Sequence, residues 1–338
     1  MRFNMQIETE IYLDFDDVFL RPKRSRAPSR KAVELIRTFE CLHGGMFTCL
    51  PIVASNMFAT GTFKMAEAFT KEKALVCLHK FYDMTSLMEF WTGERPNVFY
   101  TLGIKKGDFK KLMKFTQNWT PHPLPMICLD AANAYTMYFV KRLQQLRAMY
   151  PNAIIMAGNV ATPEMVQELL LMGADIVKIG IGPGSVCTTR IETGVGIPQL
   201  TSIIKCADVA HGLGGLVCSD GGCKTPGDVA KAFAAGADLI MLGGMLAGCN
   251  ECDGKWNDNG FEFYGMASEK AQLKFYGGVP DYCTAEGKCI IVPKKGPVEN
   301  VLKRITGGLR SACAYTGTER LKDLTKCATF VRVNRIHS

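Results

Sequence analysis

The chain has 338 residues, 47% of them hydrophobic, which suits one large α/β domain or two small ones with a sizeable core. Its longest apolar runs are strand-length, short of the roughly 20 residues that cross a bilayer, and Glu8, Glu10, Asp14, Asp16 and Asp17 break up any leader near Met1, so the expectation is a cytoplasmic protein without membrane contact. The net charge of +8 gathers at Arg21, Lys23, Arg24 and Arg26 and at Lys105, Lys106, Lys110 and Lys111; without a zinc finger, an RNA-binding aromatic signature or a long basic tract, these clusters read as solvated faces, or as attraction for an anionic small ligand, and not as a nucleic-acid surface.

Eight short apolar runs follow one another: 51–54, 75–78, 98–100, 126–129, 154–157, 176–179, 215–218 and 239–242. Runs of this length without polar alternation suit parallel strands buried on both faces. Most begin about 22–28 residues after the one before, room for a helix and two loops. Two of the intervening segments resemble copies. Thr162-Pro163 leads through an apolar-periodic stretch to Gly173-Ala174-Asp175, and Thr225-Pro226 leads likewise to Gly236-Ala237-Asp238. Each Thr is a candidate N-cap, each Pro a first helical residue and each Gly a left-handed helix end. Equivalent β/α units imply a (β/α)8 barrel in one domain spanning 1–338. The doubly wound alternative lacks its fingerprint: Gly180, Gly182 and Gly184 have no third glycine at the required spacing and no clear helix after them. The gap of about 40 residues between the sixth and seventh runs, and an irregular stretch at 248–295, would supply a catalytic loop and a mobile flap at one mouth.

The segment after the sixth run, Gly180-Ile181-Gly182-Pro183-Gly184-Ser185-Val186-Cys187-Thr188-Thr189-Arg190, is the best candidate for chemistry. Its glycines admit close backbone approach, and Arg190 would favour a Cys187 thiolate. The plainer alternative is a structural cysteine in a glycine-rich turn. Asp220-Gly221-Gly222 and Gly243-Gly244 follow the seventh and eighth runs, where barrels commonly bind phosphate; they are otherwise tight strand-to-helix turns. Asn56, Lys80, Asp130, Asn133 and Asn159 fall at other strand ends, each able to cap a helix and together able to ring the mouth. His79 and His211 read as structural. The 14 cysteines have no framework spacing, so free thiols are expected, and the lone Cys249/Cys252 pair lacks the partners of a zinc site.

These motifs resemble the inosine monophosphate dehydrogenase/GMP reductase family, with the match running from Leu13-Asp14-Phe15-Asp16-Asp17-Val18 to Thr329-Phe330-Val331-Arg332-Val333. The loop ending in Cys187-Thr188-Thr189-Arg190 is its most specific part. Gly194 to Gln199, Ala210 to Leu213, Ser219 to Cys223 and the short flap with Ala285-Glu286-Gly287-Lys288 are similar to the reductase branch, without a tandem CBS insertion. The resemblance implies a purine-salvage oxidoreductase in which Cys187 attacks carbon 2 of GMP, ammonia leaves, NADPH supplies hydride and IMP is released. It implies Thr189 and Glu286 as a proton relay assisted by Lys80. It places the nucleotide on Ser185, Asp220, Gly221, Gly222, Gly243, Gly244, Tyr264, Gly265, Met266, Ala267, Ser268 and Gly287. The cofactor would meet Ser29, Arg30, Lys80, Asp130, Ala131, Ala132, Ile181, Gly182, Tyr282, Ser311 and Tyr315. Gly182, Gly184, Cys187 and Arg190 would serve a potassium ion, and the assembly would be a homotetramer.

Three residues depart from the family pattern. Phe58 stands where an Asp is usual, Cys283 where an Arg is usual and Ala134 where a Gly is usual. Losing a charged contact near a ligand costs about 1.5–3 kcal/mol. Two other readings therefore stand beside the reductase: a dehydrogenase lacking its regulatory insertion, and a non-catalytic nucleotide-binding homologue. The short flap and Glu286 weigh against the first, and the intact Cys187, Thr189 and Glu286 weigh against the second.

Overall fold

A computed structural model describes residues 6–25, 29–43, 45–92, 95–118 and 125–333, leaving Arg26 outside. All eight apolar runs are strands: β1 (Ile52–Ala54), β2 (Leu75–Cys77), β3 (Val98–Leu102), β4 (Met126–Asp130), β5 (Ile154–Val160), β6 (Ile176–Ile179), β7 (Leu216–Asp220) and β8 (Leu239–Leu242). They close in sequence order into a parallel barrel, β8 pairing with β1.

Alternate residues along each strand explain the lack of polar positions. Val53, Cys77, Phe99, Cys128, Met156, Ile176, Cys218 and Met241 fill the interior. Ile52, Val76, Val98, Ile127, Ile155, Val177, Val217 and Ile240 face the surrounding helices. A strand buried on both sides has no solvated face to carry polar residues. An antiparallel hairpin, Arg37–Glu40 with Met46–Cys49, lays Phe39, Phe47 and Cys49 against the interior cluster and closes the N-terminal end of the barrel.

The two copied segments form helices Pro163–Leu171 and Pro226–Ala234. Both end the same way. Gly173 and Gly236 take φ of +115° and +110°. The following amides, of Ala174 and Ala237, turn back to Leu169 and Ala232 at 3.0 and 3.1 Å. Thr225 caps its helix through the Asp228 amide. Thr162 holds the N-cap position without a capping bond, and its hydroxyl accepts from Tyr135 at 3.2 Å instead. The repeated Asp closes each unit. Asp175 accepts the Ile155 amide at 2.8 Å and pairs with Arg147, while Asp238 accepts the Val217 amide at 3.0 Å and pairs with Arg37. A strand-starting amide is thus satisfied by a buried carboxylate that an arginine neutralises. His211 also bonds Asp238, at 2.8 Å.

Two sequence readings are corrected. A five-residue helix, Thr189–Thr193, follows the glycine loop at once, and Gln199–Gly212 fills the rest of the long gap. The stretch at 248–295, expected to be irregular, holds a three-stranded antiparallel sheet of Trp256–Asn257, Gly260–Tyr264 and Cys289–Val292, with helix Glu269–Tyr276 between its second and third strands. Its second strand buries Phe261 and Phe263, which anchor the flap. No helix among the described residues is long and apolar enough to cross a membrane.

Candidate active site

The C-terminal ends of the strands open into a cavity of about 640 Å³, a size that suits a nucleotide. Cys187 stands half-buried in its wall on the loop after β6. Its thiol donates to Thr189 Oγ1 at 3.2 Å, and the Thr189 hydroxyl donates to Glu286 Oε2 at 2.7 Å. Three side chains from two distant segments therefore form one hydrogen-bonded line ending on the nucleophile.

Backbone pairing sets that line. The Thr188 amide donates to the Glu286 carbonyl at 3.0 Å, and the Lys288 amide to the Val186 carbonyl at 2.9 Å. On the other edge the Glu286 amide donates to Ala267 at 3.0 Å, and Gly265 to Lys288 at 3.1 Å. Residues 286–288 thus lie between the cysteine loop and the 265–268 loop. Only glycine fits the middle of this sandwich: a Cβ on Gly287 would meet the Ser268 amide nitrogen at 2.9 Å and Gly265 Cα at 3.2 Å, both backbone. Gly287→Ala should displace Glu286 and lower kcat by about 10²-fold, as misplacement of a reacting group near 1 Å does, while the melting temperature changes little. Steady-state kinetics beside thermal unfolding will check this.

Carboxylates and lysines also gather at this mouth, Asp130, Asp220 and Lys80 on the cavity wall and Lys178 beneath them. Lys178 of β6, 1% exposed, reaches Asp130 at 2.5 Å and Asp220 at 3.4 Å. Asn159 Nδ2 donates to Asp220 Oδ2 and to the Gly180 carbonyl, both at 3.0 Å. Burial works to raise the Asp130 pKa, yet Lys178, with help from Lys80, holds it below its usual value. Burial works to lower Lys178, and Asp130 and Asp220 outweigh it, so the ammonium stays charged. Lys80 likewise keeps its proton despite burial, through Tyr276 and Asp130.

The glycines after β7 and β8 serve close approach. Gly221 and Gly222 take φ of +91° and +87°. A Cβ on Gly244 would meet Ser185 Oγ at 2.6 Å, which brings the hydroxyl against the β8 turn. Ser185, Gly221, Gly222, Gly243 and Gly244 share one end of the cavity, where amides and a hydroxyl can surround an anion.

The cavity wall brings together Cys187, Thr189, Glu286, Lys80, the Ser185 and glycine cluster, Asp220, Gly265, Met266, Ala267, Asp130, Ala131, Ala132, Ile181, Gly182 and Gly184. Other expected residues lie off it. Tyr264 is buried beside Lys270, and the Ser268 hydroxyl caps helix Glu269–Tyr276 while donating to the Gly265 carbonyl at 2.6 Å. Arg30 lies over the Tyr315 ring, beside Ser29; Ser311 donates to Gly307 within its own helix, and Tyr282 is exposed. Asn133 accepts from Tyr135 in a local turn. Arg190 does not serve the thiol: its guanidinium pairs with Asp14 at 3.1 Å and donates to the Ile197 carbonyl at 2.5 Å. Having no acceptor, that guanidinium cannot ligate a cation, and only the Arg190 carbonyl can.

Phe58 stacks on His79, meets Phe275 at a tilt of 53° and carries the Lys274 ammonium 3.6 Å over its ring, so the cation there meets an aromatic face. His79 is buried and accepts the Phe81 amide; burial pushes its pKa down to about 3, leaving a neutral structural ring. Cys283 is exposed, and Ala134 is fully buried. Cys249 and Cys252 are buried thiols, their pKa values pushed up by burial to about 12 and about 11. Sequence reasoning named Lys105 only within a basic cluster that could attract an anionic ligand, and it missed Tyr276, Gln272 and Lys178. Lys178 carried a signal, since it is the charge within an otherwise apolar strand. Gln272 lies within helix Glu269–Tyr276 and Tyr276 ends it, where polar residues are ordinary.

A closed parallel barrel with a hydrogen-bonded cysteine line and glycine turns able to surround an anion at its C-terminal mouth defines a nucleotide-handling (β/α)8 enzyme. A sequence profile described as "IMP dehydrogenase / GMP reductase domain" matches residues 98–337. Proteins named GMP reductase from Serratia proteamaculans, Yersinia enterocolitica and Yersinia pestis are each 51% identical to the chain over 338 residues, covering 97% of both sequences. The chain belongs to the IMP dehydrogenase/GMP reductase family.

Proposed function

We propose that this enzyme reductively deaminates GMP to IMP and ammonia in a single catalytic barrel without a CBS insertion, Cys187 being the nucleophile. The observation that carries the reading is the Cys187–Thr189–Glu286 line. The thiolate bonds to carbon 2 of the guanine. The exocyclic nitrogen leaves as ammonia, accepting a proton passed from Glu286 through Thr189. The product of that step is a thioimidate on Cys187. Bound on the nicotinamide side, NADPH would supply the hydride to carbon 2; the carbon–sulfur bond then breaks, returning the thiolate to Cys187 and releasing IMP. Asp220 accepts from the ribose diol, the Ser185 and glycine cluster holds the phosphate, and Met266 and Ala267 flank the base. Lys80, Asp130, Ala131 and Ala132 form the nicotinamide side, and the positive charge of Lys80 and Lys105 suits an anionic dinucleotide. Ser29, Arg30, Ser311 and Tyr315 belong to the cofactor's far end, in a homotetramer. Consumption of NADPH with stoichiometric ammonia from GMP, and none without nucleotide, is the expected result. Absence of both would overturn the reading.

Carbonyls of the 180–188 loop fit a monovalent cation. Gly182 sits at φ +85°, a conformation that turns its peptide out of the regular backbone. Potassium prefers such carbonyl oxygens, supplied by Gly182, Gly184, Cys187 and Arg190. It would hold the Cys187 loop in its working shape. Turnover should rise with potassium and much less with lithium at matched ionic strength; equal rates would count against the site.

A further inference from the structure

We infer that Lys178 is a positioning residue that ties the ribose-binding and cofactor-binding halves of the mouth into one electrostatic unit. The inference rests on the assignment of Asp220 and Asp130 to those halves. Lys178 rises from the barrel interior, where β6 places it above Ile176 and among the thiols of Cys77, Cys128 and Cys218. Its neighbour on β5 is Gly158, where a Cβ would meet Lys178 Cβ at 2.6 Å, so the glycine makes room for the lysine stem. The ammonium bonds Asp130 Oδ1 at 2.5 Å and Asp220 Oδ2 at 3.4 Å. Those carboxylates end β4 and β7, and both are partly open to the cavity.

A buried ammonium held by two carboxylates does more than fill space. It gives both carboxylates a charged donor, and at Asp130 it outweighs the burial that favours the protonated form, so that carboxylate stays a full acceptor for a ligand hydroxyl or amide. It also makes their positions interdependent, because one donor group serves both. Beyond the pair stand Lys80 and Asn56 against Asp130, and Asn159 against Asp220. Without Lys178 the two carboxylates would lie near each other around an apolar and thiol floor, and Asp130, where burial already favours the neutral form, would hold a proton to higher pH. The folded state would then bind a proton that the unfolded chain, with ordinary carboxylate pKa values, does not. Stability of such a variant rises as pH falls toward the carboxylate range and is lost as pH rises through the elevated folded-state pKa.

The test compares Lys178→Met and Lys178→Arg with the parent enzyme. Calorimetry measures GMP and NADPH binding separately, and thermal unfolding is followed at about pH 5.5 and about pH 8 without nucleotide. Lys178→Met should weaken binding of both ligands on the order of tenfold or more, and Lys178→Arg should recover most of each loss. The melting deficit of Lys178→Met should shrink at the lower pH. Parent-like binding of both ligands, or a deficit that is the same at both pH values, overturns the inference. Should Lys178→Met fail to fold, Asp130→Asn decides: releasing Lys178 to Asp220 alone should raise the GMP dissociation constant about threefold or more in the absence of cofactor, and an unchanged constant overturns the inference. If the parent enzyme itself does not bind GMP, the proposed function fails, while the nucleotide-free unfolding comparison still reads the charge cluster.

Discussion

Cys187→Ala is expected to abolish turnover, by on the order of 10⁴-fold or more, and to leave GMP binding nearly unchanged. The thiol makes one side-chain hydrogen bond, to Thr189, so its removal frees a hydroxyl that still has Glu286 as acceptor. Neither the glycine turns after β7 and β8 nor Asp220 depends on the sulfur, so affinity from phosphate and ribose survives. Chemistry does not, because no other thiol can replace it. Cys223, the other cysteine on the cavity wall, has its pKa pushed well up by burial and by Asp228. NADPH oxidation and calorimetric GMP binding on the same preparation check both halves. More than a trace of activity would remove Cys187 from the mechanism.

Glu286→Gln is expected to slow ammonia release by about 10²–10⁴-fold while hydride transfer stays nearly normal. The amide oxygen can still accept the Thr189 hydroxyl, so the line keeps its geometry, but a neutral amide has no proton to pass on at working pH. The deamination step alone needs that proton to turn an amide-like nitrogen into a leaving group. Rapid quench separates the steps, since the variant should accumulate little covalent intermediate, and intermediate formed from the IMP side should still exchange hydride. The same measurements decide between the two family chemistries. A dehydrogenase must hydrolyse its thioimidate, and this flap lacks the arginine–tyrosine pair of that branch; robust oxidation of IMP without ammonia from GMP would reverse the assignment.

The eight strands were legible because parallel strands covered on both faces need apolar residues throughout, and such runs stand out at regular spacing. The helix ends at Gly173 and Gly236 were legible for an equally local reason: glycine is inexpensive where φ must be positive. The division of each strand into interior and exterior residues was not, since Ile176 and Val177 look alike in sequence. The flap sheet escaped for a related reason. Its strands are short, the first only two residues long, and the second pairs with a strand about 30 residues further along the chain, so its hydrogen bonds leave no periodic trace. At the site, Cys187, Thr189 and Glu286 were found through a motif, but Arg190 was misjudged. Adjacency in sequence placed it beside the thiol, whereas the helix starting at Thr189 carries its side chain toward Asp14, on a segment with which it shares no local pattern.

The four backbone hydrogen bonds that hold residues 286–288 between two loops also bear on the clock of the enzyme. On the proposed binding mode a purine would seat against Met266 and Ala267, in the loop that the ladder ties to residues 286–288, so its departure would be coupled to parting of the ladder. Each bond contributes only about 0.5–1.5 kcal/mol net, but parting several together makes a barrier that sequesters the covalent intermediate from bulk water for the time hydride delivery needs. Residence and protection then come from the same contacts. A variant that loosens the ladder would release IMP sooner and also lose some intermediate to hydrolysis, trading speed for fidelity.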